Sequence, residues 1–321
     1  MASYVVSNVK NIIVQKLTVD QRRYVRFANV RFDDKNGSNI YYHDNIRDFS
    51  SSVDAHLPTM SHVFPDESND TDIVPSFLNS NSPLCGSFAI FLVKRYTKCN
   101  SDFELWNTYQ QLTAQKIMIN VIQSNYVAHS GGLGAIDDLA GYSGGIMVEA
   151  GKQWSNDDSG FFNMTNLLMG IPYTDNLLYA SYPARQFNLT NMYLEQLTVP
   201  SYAVNTVNVT LAITTEVYSG SHLQSISLTL VNRLTQERSF LNYTQSDYYT
   251  NTDLIWEIIK LQSGTDYDVI MTFRTSFVGY LAIRMFIDKP LPDDWNVWST
   301  PPPAFAQHEF LRVEGKPSMS L

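Results

Sequence analysis

The residues best arranged to do chemistry are Gly141-Tyr142-Ser143-Gly144-Gly145, a literal match to G-x-S-x-G. In that pattern glycines permit a strained strand-to-helix turn that lifts a serine hydroxyl above a sheet, where an acid and a histidine later in the chain activate it. Asp288 and His308 stand in the required order. The context argues against the motif. Asp137 and Asp138 precede it where a buried parallel strand would be apolar, and most of the chain between Ser143 and His308 alternates like antiparallel strands. A serine hydrolase using Ser143 therefore ranks behind two non-catalytic readings.

Other chemistry finds less support. Gly151-Lys152 is followed by Gln153, and Ile146 stands where a phosphate-binding loop needs its first glycine. The six histidines are scattered, with no H-E-x-x-H. His56 and His62 lie near Asp54 and Asp66, a sparse set for a metal or a pH response. Asp157-Asp158 and Asp293-Asp294 sit beside turn-forming residues, where solvated carboxylates are ordinary. Cys85 and Cys99 make neither a disulfide framework nor a zinc pattern. The expectation is a protein without catalytic residues, cofactor or metal.

The composition points toward surfaces. Only 17% of the 321 residues are charged, and Asn, Ser, Thr, Gln and 19 Tyr take their place. Such a surface has little like-charge repulsion and many neutral hydrogen-bonding groups, as interfaces do, although a tyrosine-rich β-protein core would give the same counts. A net charge of -9 excludes wholesale phosphate binding. Residues 1–31 are the exception, with Lys10, Lys16, Arg22, Arg23, Arg26 and Arg31 against Asp20 alone. Those cations guard a strand edge or touch nucleic acid or an acidic neighbour. No secretory signal and no apolar run long enough to span a bilayer are visible, so the six N-x-[ST] sequons reflect Asn and Thr abundance.

The elements that would carry these residues follow from periodicity. Residues 17–32 alternate and suggest a strand; 33–83 lose periodicity and suggest a long extended arm. Ser87 to Tyr96 reads as a buried strand. Ser101-Asp102-Phe103-Glu104 is a capping box, predicting a helix toward about Ala128 whose β-branched part, Ile117 to Ile122, could instead leave it. Residues 131–160 hold a glycine cluster expected to form turns or close backbone contacts, and short helices or loops should follow it. From about Leu194 the pattern changes to alternation: Val207 to Ile213, Ile226 to Leu230, Leu254-Trp256-Ile258, Tyr267 to Phe273 and Leu281 to Ile287. Successive strands without intervening helices predict an antiparallel sandwich or jelly roll. The tail carries Pro290, Pro292, Pro301, Pro302 and Pro303 with Trp295 and Trp298, a proline density that favours an extended arm.

The fold expectation is α+β, mainly β. It comprises a strand and extended arm over 1–100, a helical and Gly-rich insertion over 101–190, an antiparallel β-sandwich of jelly-roll type over 191–288, and a Pro/Trp-rich arm over 289–321. In this organisation the chain resembles the capsid and outer-shell proteins of icosahedral viruses, although no motif names a family. The resemblance implies a structural subunit of a virion, made in host cytoplasm. Its partners would be copies of itself and other shell proteins, with nucleic acid reached only through the basic N-terminal segment. Arg22, Arg23, Arg26, Trp295, Trp298 and Phe305 are the interface candidates. The alternative is a carbohydrate- or receptor-binding β-sandwich whose exposed aromatic rings stack on sugar faces.

Overall fold

The structure is a computed structural model that describes residues 3–19, 24–31, 39–58, 70–80, 85–93, 102–124, 135–150, 159–171, 176–181, 188–216, 223–248, 254–275, 280–295 and 297. These residues form a mixed α/β protein with more strand than helix. Its sheets are open, and among the described residues no helix is long and apolar enough to cross a membrane.

The N-terminal half is more regular than its sequence suggests. Ser3–Val19 is a helix, α1, in which Val5 and Val9 recur at helical spacing and are buried against α6 (Ser159–Leu168). Lys10 lies 8% exposed on α1, and its ammonium donates to both carboxylate oxygens of Asp54 at 2.6 and 2.7 Å. Asp54 belongs to α2 (Ile46–Ala55), which starts where the Asn45 side chain accepts the Asp48 N–H. Two expectations are corrected here. Of the strand read over 17–32, residues 17–19 belong to α1, and among the described residues the strand is confined to β1 (Phe27–Asn29), paired with β2 (Tyr41–His43). The arm read over 33–83 contains β2, α2 and α3 (Asp70–Leu78).

Three parallel strands follow, β3 (Phe88–Val93), β4 (Met118–Ser124) and β5 (Met147–Ala150), in the order β3-β4-β5. A helix predicted from this part of the sequence, α4 (Asp102–Ala114), lies between the first two; Ser101, the expected cap, is outside the described residues. The helix stops well short of Ala128 because Lys116 turns the chain at φ 52° and Ile117 to Ile122 leave the helix into β4. A second helix, α5 (Ala135–Tyr142), connects β4 to β5 and occupies part of the glycine cluster.

The C-terminal half is two antiparallel sheets. β6 (Leu177–Ser181), β9 (Thr206–Glu216), β12 (Leu254–Gln262) and β14 (Tyr280–Ile287) form the inner sheet in the order β12-β9-β14-β6. The outer sheet is β11 (Arg238–Tyr243), β10 (Leu223–Asn232), β13 (Thr265–Thr275) and β7 (Asn188–Tyr193), with β8 (Leu197–Val199) also on β13. Val209, Leu211, Ile283 and Met285 of the inner sheet share one core with Ile226, Leu228, Val269 and Met271 of the outer sheet. These are the residues whose alternation predicted strands. In β12 the phase differs from that reading: Ile255, Ile259 and Leu261 face this core, Leu254 and Trp256 face the other way, and Ile258 is 65% exposed.

The inner sheet is covered on both faces. Leu177, Ala212, Leu254 and Phe286 on its far side pack with Val5 and Val9, with Met118, Ile122 and Val148 of the parallel sheet, and with Phe161, Met164 and Leu168 of α6. A third cluster fills the space between the parallel sheet and α3, α4 and α5. The outer sheet is therefore the layer furthest from the parallel strands.

Candidate functional site

Ser143 does not stand at a nucleophile elbow. It follows α5 and precedes β5, a helix-to-strand turn, which is the reverse of the elbow's order. Its side chain is fully buried; Oγ accepts the Ile119 N–H at 2.9 Å and donates to the Ala140 carbonyl at 3.1 Å. The adjoining glycines serve contact. Gly144 takes φ 65°, and a Cβ on Gly145 would lie 1.8 Å from the Ile119 carbonyl oxygen. Asn120 completes the seam by accepting the Ile146 N–H at 2.9 Å. The motif ties a turn to β4.

The remaining sequence candidates do not converge. Asp288 accepts from Asn208 Nδ2 at 3.0 Å, and His308 lies outside the described residues. Asp54 is committed to Lys10, while His56 Nδ1 donates to the Ser52 carbonyl at 2.7 Å and its ring stacks on Tyr41; His62 and Asp66 are outside the described residues. Arg26 is exposed and donates from Nε to Asp44 Oδ1 at 3.2 Å. Trp295 is half-buried and packs on this chain's own two-sheet core. Arg22, Arg23, Trp298 and Phe305 lie outside the described residues.

A different set of residues is brought together by register on the outward face of the outer sheet. Phe240 of β11 pairs with Thr229 of β10, Thr229 with Ile270 of β13, and Ile270 with Tyr193 of β7. These four side chains form one row across four strands, because their sequence neighbours Leu241, Leu228, Leu230, Val269, Met271 and Met192 point into the core. The rings at its ends are open to solvent, Phe240 63% and Tyr193 71% exposed, with half-buried Thr229 and Ile270 between them. Three strand spacings separate the ring positions by roughly 14 Å.

The next row along the strands is neutral and polar. Asn242 pairs with Ser227 and Ser227 with Thr272, whose Oγ1 accepts the Asn191 N–H at 3.2 Å. That contact lies at an irregularity in β7, where Asn191 takes φ 52°. On the opposite side come Arg238, Val231 and Asp268, with Asp268 3.5 Å from Arg233 Nε. Exposed rings flanked by neutral donors and acceptors can bind by apolar contact and directed hydrogen bonds without requiring charge on the ligand.

Sequence reasoning anticipated exposed rings without locating them. Phe240 lies on a strand that was not predicted, and Tyr193 falls just before the alternating region. The signal available was the pair of hydrogen-bonding runs Arg238–Tyr243 and Asn188–Tyr193, each with an aromatic out of phase with its core residues.

Two tyrosines bind the sheets together at their edges. Tyr243 of β11 donates a short hydrogen bond to Glu257 of β12, and burial followed by that carboxylate pushes its hydroxyl far above the ordinary tyrosine range. On the other side Tyr179 of β6 donates to the Glu195 carbonyl at 3.2 Å, and Ser181 donates to Glu195 Oε2 at 2.6 Å. Burial first, then the Glu195 charge, pushes the Tyr179 hydroxyl up as well.

No protein-family model matches the chain, and no curated protein does. Among solved structures it is similar to the human COPII-coat protein Sec24c, with 8% identity, a TM-score of 0.36, and coverage of 87% of this chain and 41% of that one. A mutant of the family 29 carbohydrate-binding module CBM29-2 matches with 8% identity and a TM-score of 0.19 over 35% of this chain and 87% of that one. CapF in complex with an inhibitor matches with 7% identity and a TM-score of 0.16 over 77% of this chain and 94% of that one. The chain spans about two fifths of the Sec24c chain. Likeness at this level carries no argument about fold or function.

Proposed function

We propose that this protein is a non-catalytic glycan-binding module that holds its ligand across the outer sheet. The observation that carries this reading is the Phe240–Thr229–Ile270–Tyr193 row, with two solvent-exposed rings fixed by β-pairing and bordered by Asn242, Ser227 and Thr272. Sugar rings present an apolar C–H face and a rim of hydroxyls. An exposed phenyl or phenol takes the first, and neutral side chains take the second. A lone exposed hydrophobe is ordinary; a row spanning a sheet is a patch that wants an occupant.

The fold we propose beneath it is a jelly-roll-like sandwich. Strand order supports this: the first and last strands of the two-sheet half, β6 and β14, are antiparallel neighbours, and the sequence crosses repeatedly between the orders β12-β9-β14-β6 and β11-β10-β13-β7. Glycan-array binding tests the function. The wild type should bind, and Phe240→Ala with Tyr193→Ala should each weaken binding at least about tenfold, or ~1.4 kcal/mol. A folded protein that binds no glycan removes the reading.

Assembly as a capsid or outer-shell subunit is the second reading, and the edge strands favour it. Phe240 on β11 and Ile258 on β12 leave apolar side chains exposed on two edge strands that meet at the Tyr243–Glu257 bond, where edges are commonly guarded by charge. Light scattering across concentration should then find oligomers that Ile258→Lys dissolves. A monomer at every concentration counts against it.

A further inference from the structure

The row also specifies the form of its ligand. A pyranose unit in an extended chain advances by about the distance between neighbouring strands, so four strands match about four sugar units. The rings stand at the two ends of that span, on β11 and β7, the outermost strands of the four, with half-buried Thr229 and Ile270 between them. Sequence position therefore places one sugar over Phe240, one over Tyr193, and two over Thr229 and Ile270.

Among the described residues, neither end of the row is walled by another strand. β11 pairs only with β10, and β7 only with β13, among the described residues. A site that reads a chain terminus encloses it, whereas a chain crossing this face can continue past both rings. The charge pattern selects further. The row contains no ionisable group other than the Tyr193 phenol, and the row beside it is Asn242, Ser227 and Thr272. The nearest charges along the chain, Arg238, Asp268 and Glu195, sit two residues away from the row; Asp268 is ion-paired to Arg233, and the Glu195 carboxylate accepts from Ser181 of the inner sheet.

We infer that the ligand is a neutral polysaccharide laid across the strands and gripped along its interior over about four units. This rests on the glycan-binding reading above and specifies its ligand class.

The test is calorimetric titration of the full chain with cello-, manno- and xylo-oligosaccharides of one to six units, beside a glycan array. With one of these series the affinity should climb to four units and level off, and that of the hexasaccharide should be unchanged when its reducing end is converted to the alditol, since five intact rings remain. Phe240→Ala should lower tetrasaccharide affinity at least tenfold and leave trisaccharide affinity within threefold, since a trimer can shift toward Tyr193. A monosaccharide that binds as tightly as the tetramer, loss of hexasaccharide binding on end reduction, or a polyuronate binding more tightly than every neutral chain would overturn the inference and leave the glycan reading standing. Silence on both the array and all three series overturns both. Unchanged far-ultraviolet circular dichroism of each variant separates loss of contact from loss of fold.

Discussion

Removing the Ser143 hydroxyl would leave the Ile119 N–H buried without its acceptor, a change that costs about 1–3 kcal/mol. Ser143→Ala should therefore lower stability in urea titrations by that amount while leaving glycan affinity untouched. A nucleophile would show the opposite pattern. Gly145→Ala should do more damage, because its Cβ would fall 1.8 Å from the Ile119 carbonyl oxygen and β4 itself would have to shift; a midpoint loss larger than that of Ser143→Ala checks this. These residues also show where reading the sequence stops. The glycines announced a place where backbone approaches something closely, and that was legible. Whether they approach a substrate or a neighbouring strand depends on the direction of the turn, strand to helix or helix to strand, and Asp137 and Asp138 were the available clue. Placed in a strand they are anomalous; in a helix such as α5 they are ordinary.

At the scale of elements, alternation located β9, β10, β13 and β14 because each has one face in the two-sheet core. It mistook the phase of β12, whose Leu254 is buried and whose Trp256 is half-buried against the parallel-sheet half, so that both phases are apolar and period two cannot choose. α1 was missed for a related reason. Its Val and Ile content suits strands, and the helix is supported by packing on α6 and by the Lys10–Asp54 pair, neither of which is local. The edge tyrosines give this scale its prediction. Tyr243 and Tyr179 hold their protons more tightly folded than unfolded. Below about pH 10 both states are protonated and the full stabilisation is present. Above it the unfolded chain releases protons that the folded one keeps, so stability falls as pH rises. Melting temperature should decline between about pH 10 and 11, and Tyr243→Phe should flatten that decline while lowering stability at pH 7.

For the whole molecule, the shared cluster between the inner sheet and the parallel half couples the two. Phe286→Ala removes a fully buried ring from that cluster and should cost about 3–5 kcal/mol. Intrinsic tryptophan fluorescence and far-ultraviolet circular dichroism should then shift together, as one cooperative transition; separate midpoints would show that the halves unfold independently. The sequence pointed to a β-rich second half and a helix-bearing first half, but gave no sign that strands of the second half are covered by the first, since that contact joins residues far apart in the chain. The layering has a mechanical consequence. A ligand held on the outer sheet and anything gripped by the parallel half pull in opposite directions along the normal to the sheets. Such a load bears first on the apolar contact between sheets and on the Tyr243–Glu257 and Ser181–Glu195 bonds at their edges, leaving the strand ladders, which run crosswise to it, unstressed. Under tension this molecule should delaminate before any strand unzips.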